Sequence, residues 1–583
     1  MKPLYICESI TGIWTREGVE SFDYSDGDEV ESGLLGIMEK ATDVSITSAE
    51  LANAIRDWPT EYHLSGARHN LLRPFAIGPG HKVLELGCGC GAMTRYFGES
   101  GATVIAVEGS RRRAQIAAAR CRDLPNVTIY CDNLIDFISE DKFDFVTLIG
   151  VLEYAPKFVR ESDPVLAVLK CARSFLRDAG TLILAIENQL GLKYFNGCNE
   201  DHVGVPFFGI NDLYGSHDPV TFGRRALTEK MERAGFPLQE FFYPFPDYKL
   251  PGAILNEAAF LDSRLNVADL LIHNTGRTYP ETHRRVFAED LAWRVVAENH
   301  LVADMANSFL VLARQSGAQP KSPKWLAKMY NRGRRKSSYQ VETSIEENEA
   351  GRLVVRKGLI YPGMQKDTGW LRHVVKDGDY IAGELLIGRI RKAMAREAVI
   401  DEIATVFTPW VRFLLDRATV DGSGEIVMSG DYVDCIPSNM IVNTAGKLEF
   451  FDSEWHACDN IPFVWVLTRG ISDALAGAMF NESVRNKSLR NFIYKVAEVS
   501  RIEVRDADID DAIRREDALL STCLDGHDKE NGLRKIMDVQ LPVVNWGIDH
   551  AERELARVKG TVSWRVTKPL RFLANLPRLI RGR

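Results

Sequence analysis

Gly87, Gly89 and Gly91 stand at alternating positions directly after the apolar run 83–86. Glycine lets the backbone turn tightly and lets a ligand approach closely, because it has no Cβ. A second apolar run ends on Glu108, and a carboxylate at the end of a neighbouring strand can accept hydrogen bonds from the hydroxyls of a ribose. This spacing predicts two adjacent strands that grip a nucleoside.

The glycine spacing admits two interpretations, a dinucleotide site and another kind of nucleoside site. The phosphate-binding pattern G-x-G-x-x-G has its third glycine at the position of Ala92, and the pattern tolerates alanine there. An acid, Glu85, precedes the glycines. The E-x-G-x-G-x-G pattern that results resembles motif I of the class I S-adenosylmethionine-dependent methyltransferases. The resemblance implies that Glu85 and the three glycines shape the methionine end of the cofactor and that Glu108 holds its ribose.

Further apolar runs follow in the order that this resemblance implies. Asp132 and Asn133, at the end of one of them, would then meet the adenine. Residues 252–306 are predicted to be a helical insertion before the last strand. The predicted strands after Glu108 are 126–131, 143–150, 181–186, 241–245 and 308–313.

Three residues that can hold or remove a proton, Glu200, Asp201 and His202, are adjacent after the predicted fifth strand. Doubly wound sheets place their substrate clefts beyond the carboxyl ends of the strands. His202 titrates nearest to neutral pH and is the leading candidate for a general base, with Asp201 next. A polar loop that caps the following helix is the alternative, and it stays open.

A second group of candidate residues follows the linker 315–323. Asp434 and Asn439 have the D-x4-N spacing, and Asp452 stands thirteen residues after Asn439. This pattern resembles the catalytic loop of protein kinases, where an Asp orients the acceptor hydroxyl and an Asn and a later Asp hold a metal ion. The resemblance implies a catalytic role for Asp434, Mg²⁺ ligands in Asn439 and Asp452, and an ATP phosphate contact from Lys357.

The kinase resemblance is incomplete. The sequence has no glycine-rich loop ahead of Lys357, and no Glu stands between Lys357 and Tyr380 to pair with that lysine. Ile436 occupies a position where protein kinases often have a basic residue. An active phosphotransferase that uses ATP and Mg²⁺, and a kinase-like module that only binds the acceptor or acts as a scaffold, therefore both stay open.

The segment 564–583 contains six basic residues and no acidic one, with apolar residues between them. A cationic amphipathic segment of this kind can lie on an anionic membrane surface. Pro569 and Pro577 divide it into short pieces. A basic tail or a helix that docks on a protein partner, with 549–559 as its helical stem, is the alternative.

Composition limits the function classes. The net charge of −8 argues against a general nucleic-acid binder, because binding to phosphates requires a basic surface. Ten cysteines without paired metal spacing indicate a reducing compartment. The start of the chain lacks a signal-peptide pattern, and the sequence has no run of about 20 apolar residues that would predict a membrane span.

The combination of these segments resembles the bifunctional methyltransferase–kinase enzymes that end bacterial O-antigen polysaccharides, and related methyltransferases of surface-glycan assembly. The resemblance implies a cytoplasmic enzyme, peripheral at the inner membrane, with a lipid-linked glycan as acceptor and a glycosyltransferase or polymerase as partner. The predicted fold is an α/β Rossmann-like methyltransferase sheet, then a protein-kinase-like α+β domain and a basic helical tail. The predicted boundaries are 1–57 for a polar N-terminal segment, 58–315 for the methyltransferase domain, 325–525 for the kinase-like domain and 526–583 for the stem and tail.

The predicted reaction is transfer of the sulfonium methyl group to an oxygen of a glycan hydroxyl or its terminal phosphate. The sulfonium leaving group is already activated, so catalysis is mainly positioning, and a base is needed only for an un-ionised hydroxyl. The alternatives are a methyltransferase with an inactive kinase-like module, a fully bifunctional enzyme, and a non-catalytic scaffold in a glycan-assembly complex.

Overall fold

The structure is a computed structural model that describes residues 4–18, 27–279, 285–315, 323–331, 334–365, 368–396, 399–480, 484, 486–527 and 532–541. Its strands are β1 Ile6–Cys7, β2 Trp14–Thr15, β3 Lys82–Leu86, β4 Thr103–Glu108, β5 Val127–Cys131, β6 Phe143–Ile149, β7 Leu176–Glu187, β8 Leu238–Phe245, β9 Ala253–Asn256, β10 Ser308–Arg314, β11 Trp325–Tyr330, β12 Val341–Glu347, β13 Leu353–Leu359, β14 Leu371–His373, β15 Gly378–Asp379, β16 Gly383–Leu385, β17 Thr419–Val420, β18 Ile426–Met428, β19 Met440–Asn443, β20 Leu448–Phe450, β21 Trp455–Ala457 and β22 Ile461–Pro462.

The α-helices are α1 Asp28–Lys40, α2 Ala49–Asn53, α3 Trp58–Leu64, α4 Ala92–Glu99, α5 Arg111–Arg120, α6 Ala155–Phe158, α7 Pro164–Phe175, α8 Leu192–Phe195, α9 Arg224–Arg233, α10 Val267–Leu271, α11 Glu289–Glu298, α12 Val302–Met305, α13 Leu386–Ala395, α14 Ile400–Val406, α15 Thr408–Leu415, α16 Phe463–Leu475, α17 Leu489–Val499, α18 Asp506–Cys523 and α19 Leu533–Met537.

The centre of the molecule is a parallel sheet of strands β5, β4, β3, β6 and β7, in that spatial order. Strand β10 lies next to β7 and pairs with it antiparallel, and β8 pairs with the other side of β10. Every strand predicted from the apolar runs is present. In a parallel sheet the carboxyl ends of the strands meet at one edge, so the glycine turn after β3 and Glu108 at the end of β4 lie side by side.

Helices cover both faces of this sheet. Helices α4 and α5 contact β4 and β5, and α7 contacts β6 and β7. The side chains between the layers are fully buried, as Phe97 on α4 and Leu169 on α7 illustrate with 0% exposure. Burial of one such side chain contributes about 1.5–3 kcal/mol to folding, so the layers hold the strand ends at a fixed geometry.

The N-terminal segment is part of this layered structure, which corrects the prediction of a merely polar extension. Strand β2 pairs in parallel with the sheet edge at β5, and helix α1 packs against α5. Glu31 on α1 is buried, and its carboxylate accepts a hydrogen bond of 2.8 Å from Nε of Arg113 on α5. This buried ion pair lies beside the apolar face of α1, whose Leu34 and Met38 are buried in a cluster with Ile116 of α5.

The predicted helical insertion 252–306 begins with a strand instead of a helix. Strand β9 pairs antiparallel with β8 on one side and with β11 on the other. The strands β11, β12, β13 and β15 continue from there, so one sheet of fourteen described strands runs through both halves of the chain. The first strands of the predicted kinase-like domain, β11–β13 and β15, thus extend the sheet of the first half of the chain.

The second half of the chain has its own hydrophobic core, built mainly by α13–α18 and including the buried Trp410 and Trp465. Its remaining strands form small antiparallel sheets, among them β16-β19-β20. That this half is kinase-like stays a prediction. The predicted stem 549–559 and tail 564–583 lie outside the described residues. None of the helices in the described ranges has both the length and the apolar character that crossing a membrane requires.

Candidate functional site

A cleft of about 1180 Å³ opens at the carboxyl ends of β3–β6. The glycine turn forms its floor, with φ angles of 76° at Gly87, 54° at Gly89 and 75° at Gly91. All three lie in the left-handed region that favours glycine. A Cβ at Gly91 would stand 2.8 Å from Cα of Ala117, whereas a Cβ at Gly89 would meet no atom within 4 Å. Gly91 therefore allows helix packing, and Gly89 leaves space for a ligand.

Glu108 borders the same cleft and is 8% exposed. The backbone N–H of Gly89 donates to its Oε2 at 2.8 Å, and the N–H of Ser110 donates to its Oε1 at 2.9 Å. Burial raises the pKa of this carboxyl above its ordinary value. Each oxygen of a carboxylate can accept further hydrogen bonds, so Glu108 is oriented by the backbone and keeps capacity for two ligand hydroxyls.

Glu85 and Arg68 line the opposite part of the cleft. Glu85 is buried and accepts a hydrogen bond of 2.6 Å from the Thr94 hydroxyl, and burial raises its pKa to about 8. Arg68 is only 6% exposed, and its Nε and Nη1 have no hydrogen-bond partner among the described residues. A buried guanidinium without an acceptor is unfavourable by itself, which indicates an anionic ligand group at this end.

Sequence reasoning missed Arg68. The sequence does offer a signal, because 65–75, shortly before β3, has the spacing of leucine and arginine residues that is typical of a helix. The structure forms a short 3-10 helix at Gly66–Leu71, which directs Arg68 toward the cleft. Arg68 is a basic residue on that segment and is therefore a candidate for contact with an anionic group of the ligand.

Asp132 lines the cleft, but its carboxylate is engaged by the N-terminal segment. Arg16 donates two hydrogen bonds to it, at 2.7 and 3.0 Å, and the Tyr5 hydroxyl donates a third at 2.6 Å. The N–H of Asn133 adds another at 2.8 Å. Asp132 therefore has little capacity left for a ligand, and its contact with adenine stays a prediction. Apolar side chains nearby, including Leu134 and Phe158, offer a surface for a flat ring.

These features fit S-adenosylmethionine. Glu108 could accept hydrogen bonds from the ribose hydroxyls, and Arg68 could bind the carboxylate of the methionine end. The Gly89 position leaves room between them. The side chains at the cleft therefore match the cofactor at both of its polar ends.

A family model described as a methyltransferase domain matches residues 60–240. This part of the chain is an S-adenosylmethionine-dependent methyltransferase domain. The match covers β3–β7 and the cleft, and it ends within β8. It confirms the cofactor and the Rossmann-like fold expected from the glycine motif.

Curated relatives are similar to part of the chain. The ubiquinone biosynthesis O-methyltransferase of Alkalilimnicola ehrlichii is 27% identical over 118 residues, which are 20% of this chain and 45% of the relative. The enzyme of the same description from Methylococcus capsulatus is 24% identical over 159 residues, 27% of this chain and 62% of the relative. The chain thus spans about half the length of the curated relatives it matches.

Two of the solved structures that resemble part of the chain are described as methyltransferases. A TehB-like methyltransferase from Corynebacterium glutamicum is 14% identical, covers 43% of this chain and 88% of its own, and has a TM-score of 0.24. Phosphoethanolamine N-methyltransferase 2 from Haemonchus contortus, solved with S-adenosyl-L-methionine, is 14% identical, covers 48% of this chain and 60% of its own, and has a TM-score of 0.28.

The methyltransferase domain brings the predicted proton-exchanging residues into one buried cluster. Nδ1 of His202 lies 2.9 Å from Oε1 of Glu200, and its Nε2 faces Oε1 of Glu153 at 3.6 Å and Oε2 of Glu187 at 3.8 Å. Asp201 accepts a hydrogen bond of 2.6 Å from Nζ of Lys193. Sequence reasoning did not foresee the proximity of Glu153 and Glu187 to His202.

The surroundings of this cluster shift the pKa values of two of the predicted proton-exchanging residues. Burial acts to lower the pKa of His202, but the charge of Glu187 and the nearby carboxylates of Glu153 and Glu200 outweigh it and raise the pKa well above its ordinary value. Burial acts to raise the pKa of Asp201, but Lys193 and Lys249 hold it well below its usual range. Asp201 is paired with Lys193, and His202 lies among three carboxylates. The role of either residue as a general base stays a prediction.

The second predicted site is assembled in part. Nζ of Lys357 on β13 donates to Oδ1 of Asp452 and lies 3.4 Å from Oε1 of Glu454. The side-chain amide of Asn439 donates to the backbone carbonyl of Asp434 at 2.9 Å. Glu454 is a carboxylate partner of Lys357 that sequence reasoning missed, although it stands two residues after Asp452.

Asp434 itself is 6% exposed and accepts a hydrogen bond of 2.9 Å from Nη2 of Arg469. Burial raises its pKa to about 6, against the opposing effect of the Arg469 charge. The carboxylate is thus ion-paired inside the protein. Its predicted role toward an acceptor hydroxyl stays a prediction.

Proposed function

We propose that the methyltransferase domain transfers a methyl group to an oxygen atom of an anionic glycan acceptor, either a hydroxyl or a terminal phosphate. The observation that carries the proposal is the placement of Glu108 and Arg68 in one cleft, where they could bind the two polar ends of the methyl donor. Nε and Nη1 of Arg68 have no hydrogen-bond partner among the described residues, although its guanidinium stacks on the Tyr62 ring at 3.8 Å. The relatives described as ubiquinone biosynthesis O-methyltransferases support oxygen as the accepting atom.

The bound cofactor supplies a methyl group that is already activated, so the main task of the protein is positioning. Glu108 and Arg68 fix the two ends of the cofactor site. Tyr62 and His63, on helix α3, border the cleft. An acceptor oxygen that is already ionised, such as that of a phosphate, needs no general base, so methyl transfer to it would require positioning alone.

A second cleft, of about 1940 Å³, lies on the other side of helix α3 and supports an anionic acceptor. Trp58 and Tyr279 stack in it with ring centroids 3.6 Å apart, which provides an aromatic surface of the kind that packs against sugar rings. Guanidinium groups bind phosphates through paired hydrogen bonds. The arginines that line this cleft are Arg56, Arg277, Arg285 and Arg334.

Methyl transfer from labelled S-adenosylmethionine to matched oligosaccharides, with and without a terminal phosphate, tests this proposal. We expect methylation of the phosphorylated acceptor, and Arg277→Ala should raise its KM while leaving the affinity for S-adenosylhomocysteine unchanged. Arg294→Ala is the matched control, because Arg294 pairs with Glu384 away from both clefts. Equal methylation of the two acceptors, or an unchanged KM in Arg277→Ala, would contradict an anionic acceptor.

A second candidate function is phosphoryl transfer by the second half of the chain. The pairing of Lys357 with Asp452, and the contact of Asn439 with Asp434, favour it because kinases place these groups around ATP and Mg²⁺. Calorimetry with ATP and Mg²⁺ tests it: wild type should bind, and Asp452→Asn should lose that binding while retaining S-adenosylhomocysteine. If the wild type binds no ATP, phosphoryl transfer is contradicted, and an acceptor-binding module or a scaffold is the function that stays open for this half of the chain.

We also propose that segment 564–583 places the enzyme at the inner membrane, near a glycosyltransferase or polymerase. Its basic and apolar composition supports binding to anionic lipid. Sedimentation with vesicles should show binding of the full chain to anionic but not to zwitterionic lipid. Removal of the segment should abolish this binding, and persistence of binding would assign it to another part of the protein.

A further inference from the structure

A buried group of acidic side chains and one histidine lies behind the wall of the cofactor cleft that Gly150–Tyr154 forms. Glu153 stands in the short helix after β6, Glu187 is the last residue of β7, and His202 follows α8. Each offers one ligand atom, and the three atoms lie within 4.8 Å of one another. Tyr154, which lines the cleft, packs edge-on against the His202 ring at a centroid distance of 5.2 Å.

Two carboxylate oxygens in this group are buried without a hydrogen bond. Oε2 of Glu153 and Oε2 of Glu187 have no partner among the described residues, and the two residues are 1% and 0% exposed. The separations of 3.6 and 3.8 Å between these carboxylates and Nε2 of His202 are too long for hydrogen bonds. Buried carboxylate oxygens without partners are strongly unfavourable unless a ligand satisfies them.

The surrounding charges leave the group negative. Glu153, Glu187, Glu200, Asp201 and Asp247 are five carboxylates with side chains at most 6% exposed. The lysines that pair with them, within the described part of the chain, are Lys193 and Lys249. The excess is three negative charges before His202 is counted. A buried excess of negative charge of this size is unfavourable unless a bound cation neutralises part of it.

Neighbouring side chains orient His202 and Glu187 within this group. Nδ1 of His202 contacts Glu200, so Nε2 is directed at the two carboxylates. The other oxygen of Glu187 accepts a hydrogen bond from Nζ of Lys249. Partners of this kind fix the orientation of side chains that bind metals, and a carboxylate on the second imidazole nitrogen is frequent at such sites.

We propose that Glu153, Glu187 and His202 bind one divalent cation of the manganese or zinc class. Two carboxylates with one imidazole favour such ions over Mg²⁺ and Ca²⁺, which prefer oxygen ligands alone. The cation and a proton compete for Nε2 of His202. This site goes beyond the proposed methyl transfer, and it is separate from the Mg²⁺ ligands predicted at Asn439 and Asp452.

Calorimetric titration of the chelator-treated full chain with MnCl₂, ZnCl₂ and MgCl₂ tests the site, with Mn²⁺ resonance spectroscopy as a second readout. We expect one equivalent of Mn²⁺ or Zn²⁺ to bind more tightly than Mg²⁺. Glu153→Gln and His202→Gln should each weaken this binding by about 10- to 100-fold or more. Asp452→Asn is the matched control, because it removes the predicted second metal site and should leave this one intact.

Titration of every variant with S-adenosylhomocysteine shows whether it is folded and separates the two proposals. Wild type that binds S-adenosylhomocysteine but no Mn²⁺ or Zn²⁺ would overturn the cation site and leave the methyltransferase proposal in place. Cation binding that persists in Glu153→Gln and His202→Gln, or that disappears in Asp452→Asn, would also overturn the assignment. Cation binding without any binding of S-adenosylhomocysteine would instead contradict the proposed methyl transfer.

Discussion

Replacement of Glu108 by alanine tests the geometry of the cofactor site most directly. In the folded protein the Glu108 carboxylate is 8% exposed and oriented by the N–H groups of Gly89 and Ser110. If this carboxylate receives both ribose hydroxyls, Glu108→Ala removes two charge-assisted hydrogen bonds to the ligand. It also leaves the two backbone donors without their acceptor, so the glycine turn loses part of its support.

The size of the effect follows from these contacts. A hydrogen bond to a charged group contributes about 1.5–3 kcal/mol, and water that enters the truncated site recovers part of two such bonds. We expect a loss of about 2–4 kcal/mol in binding free energy, which is roughly a 30- to 1000-fold increase in the dissociation constant. The loss should concern the nucleoside end, so adenosine should lose affinity along with S-adenosylhomocysteine.

Isothermal calorimetry with S-adenosylhomocysteine measures this change, and Asp144→Ala is the matched control. The Asp144 carboxylate also accepts a backbone hydrogen bond, at 2.8 Å from the N–H of Lys82, but at the amino end of the strands. Asp144→Ala should therefore bind the ligand as wild type does. A dissociation constant of Glu108→Ala equal to that of wild type would refute the ribose site at Glu108.

The remaining predictions concern other residues around the cleft. Arg68→Leu should weaken binding of S-adenosylhomocysteine by about 1.5–3 kcal/mol in calorimetry, because it removes the guanidinium nitrogens that lack a hydrogen-bond partner in the cleft; an unchanged affinity would mean that Arg68 does not contact the ligand. Arg16→Ala should lower the free energy of unfolding in urea by about 2–3 kcal/mol, because it deprives the buried Asp132 of its cation, and adding Asp132→Asn should restore part of the loss; an unchanged urea midpoint would refute the pairing. Burial raises the pKa of Glu85 from 4.5 to about 8, so over this range the folded chain keeps a proton that the unfolded chain has lost. The contribution of Glu85 to stability is thus complete at low pH and declines as pH rises toward 8, by up to about 1.4 kcal/mol per unit; Glu85→Gln should flatten this part of the measured stability profile, and an unaltered slope would place the effect elsewhere.

The sequence predicted the central sheet well, because its strands are buried on both faces and read as continuous apolar runs. The runs 104–107 and 143–150 correspond to β4 and β6 within one or two residues. The glycine turn was predictable for a similar reason, since the three left-handed positions admit few other residues. The position of Glu108 beside the glycine turn could be predicted as well, because β3 and β4 are neighbouring parallel strands that end at the same edge of the sheet.

Other features depend on contacts between residues that are distant in the chain. Strand β2 has two residues and joins the sheet through a single pairing of Trp14 with Tyr130, which is too short to give a pattern. The engagement of Asp132 by Arg16 joins positions 116 residues apart. The surroundings of His202 could not be predicted, because one segment does not reveal that carboxylates after β6 and at the end of β7 lie beside it.

The pairing of β9 with β11 has a consequence for any attempt to divide the protein. Strand β9, at Ala253–Asn256, hydrogen-bonds to β11 across the boundary that the linker suggests. A fragment that ends at residue 315 would retain β9 and lose its neighbour, and a bare row of backbone donors and acceptors recruits other chains. Such a fragment should self-associate or precipitate, so an independently soluble version would have to cap that edge, for example by including residues through β13.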